Sequence, residues 1–325
     1  MKMRYALVLA TCFCSTLVSC SGSKHEANEK YVLVAANKSV PYWQSAVAGL
    51  LRACKDMGVA NAEMVGPDNY DKNAQHAAFK KAISEKVQGI LVSASDAQLL
   101  QPDIDSAMQQ GIPVITIDSD APDSKRLFFV GTNNYDAGFM GGKLAAKLTG
   151  GKATAIVYTM PSQPNLADRL HGYKDGFPNM NIARIVDIQG DPRVAFDTTM
   201  EILKQGKLKP DLFICLEAIA CKEVAGVLTR EKVTGKTVIA MDTDLDVLNF
   251  IKSGTIAATI AQKPYTMAYF ATRMLDSLHH EKSFQNGIGT TFSTLPVFVD
   301  TGSVMIDKTN VEHFLKSQET ANSGQ

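Results

Sequence analysis

Neither sign of charge is in excess in this sequence: 33 basic residues meet 33 acidic ones, with no basic block. A nucleic-acid surface, which needs clustered Lys and Arg, is excluded on that ground. There is no Gly-Lys-Ser phosphate loop and no nucleophile elbow. No other nucleophile–base set appears, so an enzyme is not expected. The six histidines, at 25, 76, 171, 279, 280 and 313, show no metal-ligand spacing, and His279-His280 reads as a solvated helix end. Neither a metal nor a cofactor is therefore expected. Tryptophan occurs once, as Trp43. The apolar run Tyr5 to Val18 is too short to span a bilayer as a helix. Of six cysteines, Cys12 and Cys14 fall in that run and Cys20 just beyond it. Cys54, Cys215 and Cys221 remain, an odd number that implies no disulfide framework. Cys215 and Cys221 are either bridged or two buried thiols.

What is present begins with an export pattern. Lys2 and Arg4 precede the apolar run, and Leu17-Val18-Ser19-Cys20 follows it. That tetrapeptide resembles a bacterial lipobox, in which the cysteine is lipidated and becomes the new N-terminus. The expectation is a signal peptide over 1–19, lipidation at Cys20, and a polar tether over 20–30. The membrane is then met through the lipid anchor only.

From Tyr31 onward, strand and helix patterns alternate to the end of the chain. Alternation of this kind predicts parallel sheets covered on both faces by helices, an α/β fold. The length suits two domains. The two halves look like versions of one unit: Val114-Ile115-Thr116-Ile117 ends on Asp118, and Val238-Ile239-Ala240-Met241 ends on Asp242. Ligands in open α/β sheets bind just outside the carboxyl ends of strands. Two such domains facing each other put the two aspartates on opposite walls of one cleft. The expected domains are 31–132 with 263–292, and 133–262 with 293–316, followed by a frayed tail, 317–325. The chain then crosses three times, near Thr132–Asn134, Gln262–Pro264 and Phe292–Pro296.

Sugars carry vicinal hydroxyls and apolar C–H faces. A site for them needs carboxylates and amides, an Arg donor and aromatic rings. Asp118, Asp242, Arg169, Asn37, Gln262, Tyr42 and Trp43 are candidates of those types. Each has a plainer reading as well. The aspartates could cap helices, Trp43 could cap the first helix, Arg169 could be solvated, and Gln262 could be a polar strand terminus.

The ordered set Pro41-Tyr42-Trp43, Pro113 to Asp118, Val130-Gly131-Thr132-Asn133-Asn134, Arg169-Leu170-His171-Gly172-Tyr173 and Gly254 to Gln262 resembles the type I periplasmic binding proteins for sugars, the ribose/galactose-binding group of ABC importers. The likeness runs from about Lys30 to Ile306. It implies two similar Rossmann-like domains that close around one sugar, three hinge crossovers, a permease as partner and a monomeric protein. Carried over by position, it implies that Tyr42 and Trp43 stack on the sugar ring. Asp118, Arg169, Asp242 and Gln262 then bond its hydroxyls. Asn37, Asn134 and Glu217 are further ligand contacts expected here. Ser119, Pro192 and Leu216 depart from the ribose-binding pattern, which leaves the sugar open. A binding protein feeding a sensor kinase or chemoreceptor would use the same site. A sugar-responsive repressor, which shares this fold, would carry a DNA-binding domain where the export signal lies.

Overall fold

The computed structural model describes residues 25–280 and 295–323. The signal segment, Cys20 and the first three residues of the crossing expected at Phe292–Pro296 lie outside them. Among the described residues no helix is long and apolar enough to cross a membrane.

The first unit runs β1 (Lys30–Val34), α1 (Pro41–Met57), β2 (Asn61–Val65), α2 (Lys72–Ser84), β3 (Gly89–Val92), α3 (Ala97–Gln109), β4 (Val114–Ile117) and β5 (Phe129–Gly131). The second runs α4 (Asn134–Leu148), β6 (Ala153–Thr159), α5 (Pro164–Gly176), β7 (Met180–Asp187), α6 (Pro192–Gln205), β8 (Leu212–Cys215), α7 (Ala220–Arg230), β9 (Thr237–Met241), α8 (Leu245–Ser253) and β10 (Ala258–Ala261). The chain then returns through α9 (Pro264–His280), β11 (Phe298–Asp300), β12 (Val304–Asp307) and α10 (Val311–Ser323).

Each unit holds a six-stranded sheet. The orders are β11-β5-β4-β3-β1-β2 and β12-β10-β9-β8-β6-β7, one topology used twice. Every pairing is parallel except β10 with β12. The central strands β3, β4, β8 and β10 are buried along their whole length, as strands covered on both faces must be. Polar side chains start the helices: Asp71, Asp96, Asn133, Asp191 and Asp244 accept the first free N–H groups of α2, α3, α4, α6 and α8. Proline opens α1, α5 and α6, where its missing N–H costs nothing.

The third crossing differs from expectation. The expected second domain takes in all of 293–316, yet β11 pairs with β5 in the first sheet. Phe298 stacks on Phe129 with centroids 5.3 Å apart, which fastens the strand there. The chain crosses only at Thr301-Gly302-Ser303, where Gly302 takes φ +74°. Nothing in the alternation of so short a strand says which sheet it joins. Cys54, Cys215 and Cys221 are free and buried, so the bridge left open above is not formed.

Candidate functional site

The carboxyl ends of β1, β3 and β4 in one sheet, and of β8, β9 and β10 in the other, converge on a cleft of ≈ 670 Å³, part of it open to solvent. Asn37, Tyr42, Trp43, Asp118, Arg169, Glu217, Asp242 and Gln262 all line it. Asn134 does not.

Asp118 and Asp242 are built in the same way. Both take left-handed backbone, φ +63° and +64°, which few non-glycine residues adopt. Both still donate their N–H to the neighbouring strand, Asp118 to Val130 O at 3.2 Å and Asp242 to Ile260 O at 3.0 Å. The strand stays paired while its final residue turns over. Strained backbone of this kind persists where the surroundings over-determine it, and it clusters at functional sites. It is the second observation that the strand-end spacing alone lacked.

Their partners differ. Asp118 accepts hydroxyl bonds from Tyr42 at 2.7 Å and Ser93 at 2.8 Å. Asp242 accepts from the Gln262 backbone N–H at 3.2 Å and its amide at 3.3 Å. Burial pushes the Asp118 carboxyl above its ordinary range, although both hydroxyl bonds and Arg169 oppose it. Burial likewise raises Asp242 to about 6 and Glu217 to about 7.

Arg169 is the counter-charge, and it is only 1% exposed. Helices α4 and α5 place it. A Cβ on Gly138 would sit 1.9 Å from Arg169 O, and one on Gly172 would sit 2.1 Å from Tyr135 O. Only glycine allows the two backbones so close, and this contact seats the middle of α5 against the first turns of α4. The guanidinium donates to Leu216 O and to Asn134 Oδ1. Asn134 therefore stands behind Arg169 and orients it, rather than facing the cleft as expected. Sequence position could not separate these, because a residue just past a strand end can face the cleft or turn back onto a neighbouring helix, as Asn134 does onto Arg169.

Glu217 lines the cleft but has work of its own. Its two oxygens accept the N–H groups of Ile219 at 2.7 Å and Ala220 at 3.0 Å, at the start of α7. Asn37 uses its Oδ1 on the Ser39 N–H, so its amide NH2 is what it offers a ligand. Tyr42 and Trp43 meet edge to face at 5.2 Å. Trp43 is 5% exposed and belongs equally to the core of the first unit.

Other wall residues went unread. Ser93 follows β3 as Asp118 follows β4, so the strand-end rule could have found it. Tyr70, Gln163 and Asn165 lie in loops or at a helix start, where no periodicity points to them. Tyr70 and Asn165 also join the walls: Ser119 Oγ lies 3.5 Å from Asn165 Oδ1, and Tyr70 packs on Gly190. Arg169 Nε and Gln262 Oε1, both in cleft-lining residues, are buried without a protein partner. One is a donor and the other an acceptor, and buried polar groups ordinarily have partners. A ligand rich in hydroxyls supplies both.

Comparison with known proteins agrees with this geometry. The family model described as periplasmic binding protein domain matches residues 31–282. The chain belongs to that family, in its type I sugar-binding group. It is 27% identical over 252 residues to the ribose import binding protein RbsB of Bacillus subtilis (strain 168), covering 76% of this chain and 81% of that protein. It is 30% identical in sequence to GanP, a glucose-galactose binding protein from Geobacillus stearothermophilus, with a TM-score of 0.79 over 88% of this chain and 99% of that one. The XylFII-LytSN complex also matches, at 28% identity and a TM-score of 0.76, over 86% and 98%. These relatives bind substrates and are not enzymes, and the family is one of exported envelope proteins.

Proposed function

We propose that this protein captures one sugar or sugar-like polyol between its two units and hands it to an ABC-importer permease, acting as a lipid-anchored monomer. The observation that carries the reading is the matched pair of left-handed aspartates on opposite walls, with the buried donor Arg169 between them. Carboxylates accept hydroxyl protons, Arg169 donates, and Tyr42 with Trp43 gives the C–H face an apolar surface. The relatives support the ligand class, since one is named for ribose import and another for glucose and galactose.

Closure follows from the split site. A sugar bonded to both aspartates is buried only when the walls meet, with the three crossings at 132–133, 262–263 and 301–303 taking up the change. A melting screen against mono- and disaccharides tests the reading, because a ligand bound only by the folded state raises the midpoint. At least one sugar is expected to raise it, to alter Trp43 emission and to shrink the scattering radius. A panel in which no sugar shifts melting would sink the proposal. The anchor is tested separately by intact mass, which should begin at Cys20 with acyl groups; an unmodified mature protein starting elsewhere overturns that part.

A second reading, delivery of the bound sugar to a sensor kinase, draws on the likeness to the XylFII-LytSN complex. Sugar-dependent stimulation of permease ATPase favours import. Sugar-dependent binding to a sensor's extracytoplasmic domain, with no such stimulation, favours sensing.

A further inference from the structure

Away from the cleft, the segment entering β1 and the last turns of α9 bring four donor groups together. They are His25 and Glu29 from the segment, and Asp276 and His280 from the helix. Their donor atoms all lie within 4.8 Å of one another. His25 Nδ1 is 2.9 Å from Glu29 Oε2 and 3.3 Å from Asp276 Oδ1. His280 Nε2 is 3.2 Å from Glu29 Oε2 and 3.7 Å from Asp276 Oδ1. Each imidazole nitrogen thus faces both carboxylates.

We propose that these four side chains form a structural site for a divalent transition ion, zinc being the best match. A tetrahedral zinc with nitrogen and oxygen ligands needs neighbouring donor atoms about 3.3–3.6 Å apart. Four of the six donor separations, 2.9 to 3.7 Å, bracket that range, and all six lie within 4.8 Å. Two neutral imidazoles and two carboxylates balance a dication, so the loaded site carries no net charge. That matters because Glu29 is 2% exposed, Asp276 3% and His25 9%. Two imidazoles also favour zinc or its neighbours over calcium or magnesium, which prefer oxygen alone.

The surroundings hold the donors in place. The Glu26 N–H binds Glu29 Oε1 at 2.8 Å, which leaves Oε2 to the cluster. The buried Tyr31 hydroxyl lies 3.4 Å from Asp276 Oδ1. The Asn61 amide ties down Ala27 O at 2.8 Å and Glu29 O at 3.2 Å. Supports of this kind orient metal ligands and tune their affinity. Asp276 and His280 are four apart on one helix, so they share a face. This spacing spans one carboxylate and one imidazole, and it becomes a ligand set only when the fold adds His25 and Glu29. His280 therefore turns inward, and the solvated helix end expected from His279-His280 applies to His279 alone. The ion would clamp the segment that leads into β1 onto the helix that returns from the second unit.

The test uses the untagged mature chain, stripped with a chelator and titrated with Zn2+ against a chromophoric competitor. One ion per chain is expected, together with a raised melting midpoint and, with Co2+, the visible ligand-field absorption of a tetrahedral complex. His25→Ala and His280→Gln should each weaken zinc by roughly a hundredfold or more, the upper end of what even outer partners cost. His279→Gln should leave it unchanged. Sugar affinity should stay at the wild-type value in His280→Gln, which shows that the variant is folded. Absence of stoichiometric zinc binding overturns the proposal, and so does zinc binding that survives both His25→Ala and His280→Gln.

Discussion

The two walls of the cleft share a backbone and divide the chemistry. Strand order, the turned-over aspartate and its bond to the next strand all occur twice. The side chains around that device do not repeat. The first wall brings Tyr42, Trp43 and hydroxyl donors held to Asp118. The second brings Arg169, Glu217 and a loosely held Asp242, whose bonds from Gln262 are 3.2 and 3.3 Å long. A duplicated fold fixes where ligand groups can stand: each wall keeps one carboxylate, while the aromatic rings stand on the first wall and the buried cation on the second. A sugar needs both, since one face of its ring is apolar and its edge is not.

If the division holds, the largest loss comes from the group found on one wall only. Arg169→Met should abolish measurable sugar binding, a cost of roughly 2–5 kcal/mol for truncating a buried, hydrogen-bonded charge. It should also lower the melting midpoint, because Asn134 Oδ1 and Leu216 O lose their donor. Calorimetry on the folded variant decides the point; affinity within threefold of wild type would place Arg169 outside the site.

The aspartates should come next, and unequally. Asp118→Ala and Asp242→Ala should each weaken binding by roughly 1.5–3 kcal/mol, about ten- to a hundredfold. Asp118→Ala also strands the Tyr42 and Ser93 hydroxyls, so its unliganded form should melt lower than that of Asp242→Ala. Titration and melting curves on both variants check this. Equal melting points would mean that the two walls hold their carboxylates equally well.

The smallest effect is one of pH. Unfolded Asp and Glu titrate near 4, while folded Asp242 and Glu217 titrate at about 6 and about 7. Between these values the folded chain holds more protons than the unfolded one. Stability of the sugar-free protein should therefore fall as pH rises from about 4 to about 7, and level off beyond. Asp242→Asn should flatten the lower part of that slope and Glu217→Gln the upper part. Sugar affinity should rise over the same window, because hydroxyl groups donate best to ionised carboxylates. Melting profiles that keep the wild-type slope in both variants would assign it to other groups.

Much of this was legible in the chain because it follows from repetition. Apolar strands alternating with helices reported the parallel sheets, and two strands ending on aspartate reported the facing walls. Asn134 departs from expectation because a residue just past a strand end can turn back onto a neighbouring helix, and Asn134 bonds Arg169 of α5 instead of lining the cleft. Phe298–Asp300 was assigned to the wrong unit because three residues carry no pattern, and only the Phe129 ring shows where they belong. Tyr70 and Asn165 gave no signal, since loop residues reach the cleft through geometry alone. The His25 cluster was invisible for a related reason: half its donors lie at one end of the chain and half near the other.

The late position of β11 and β12 bears on how the protein is made. Each sheet takes its sixth strand from the same short stretch, Phe298–Asp300 for one and Val304–Asp307 for the other. No segment ending before residue 298 contains all of either sheet. Domains in most chains mature in order of synthesis, the first one finishing early. Here the first sheet gains its edge strand β11 only a few residues before the second gains β12, so the two sheets are completed within one short stretch of synthesis.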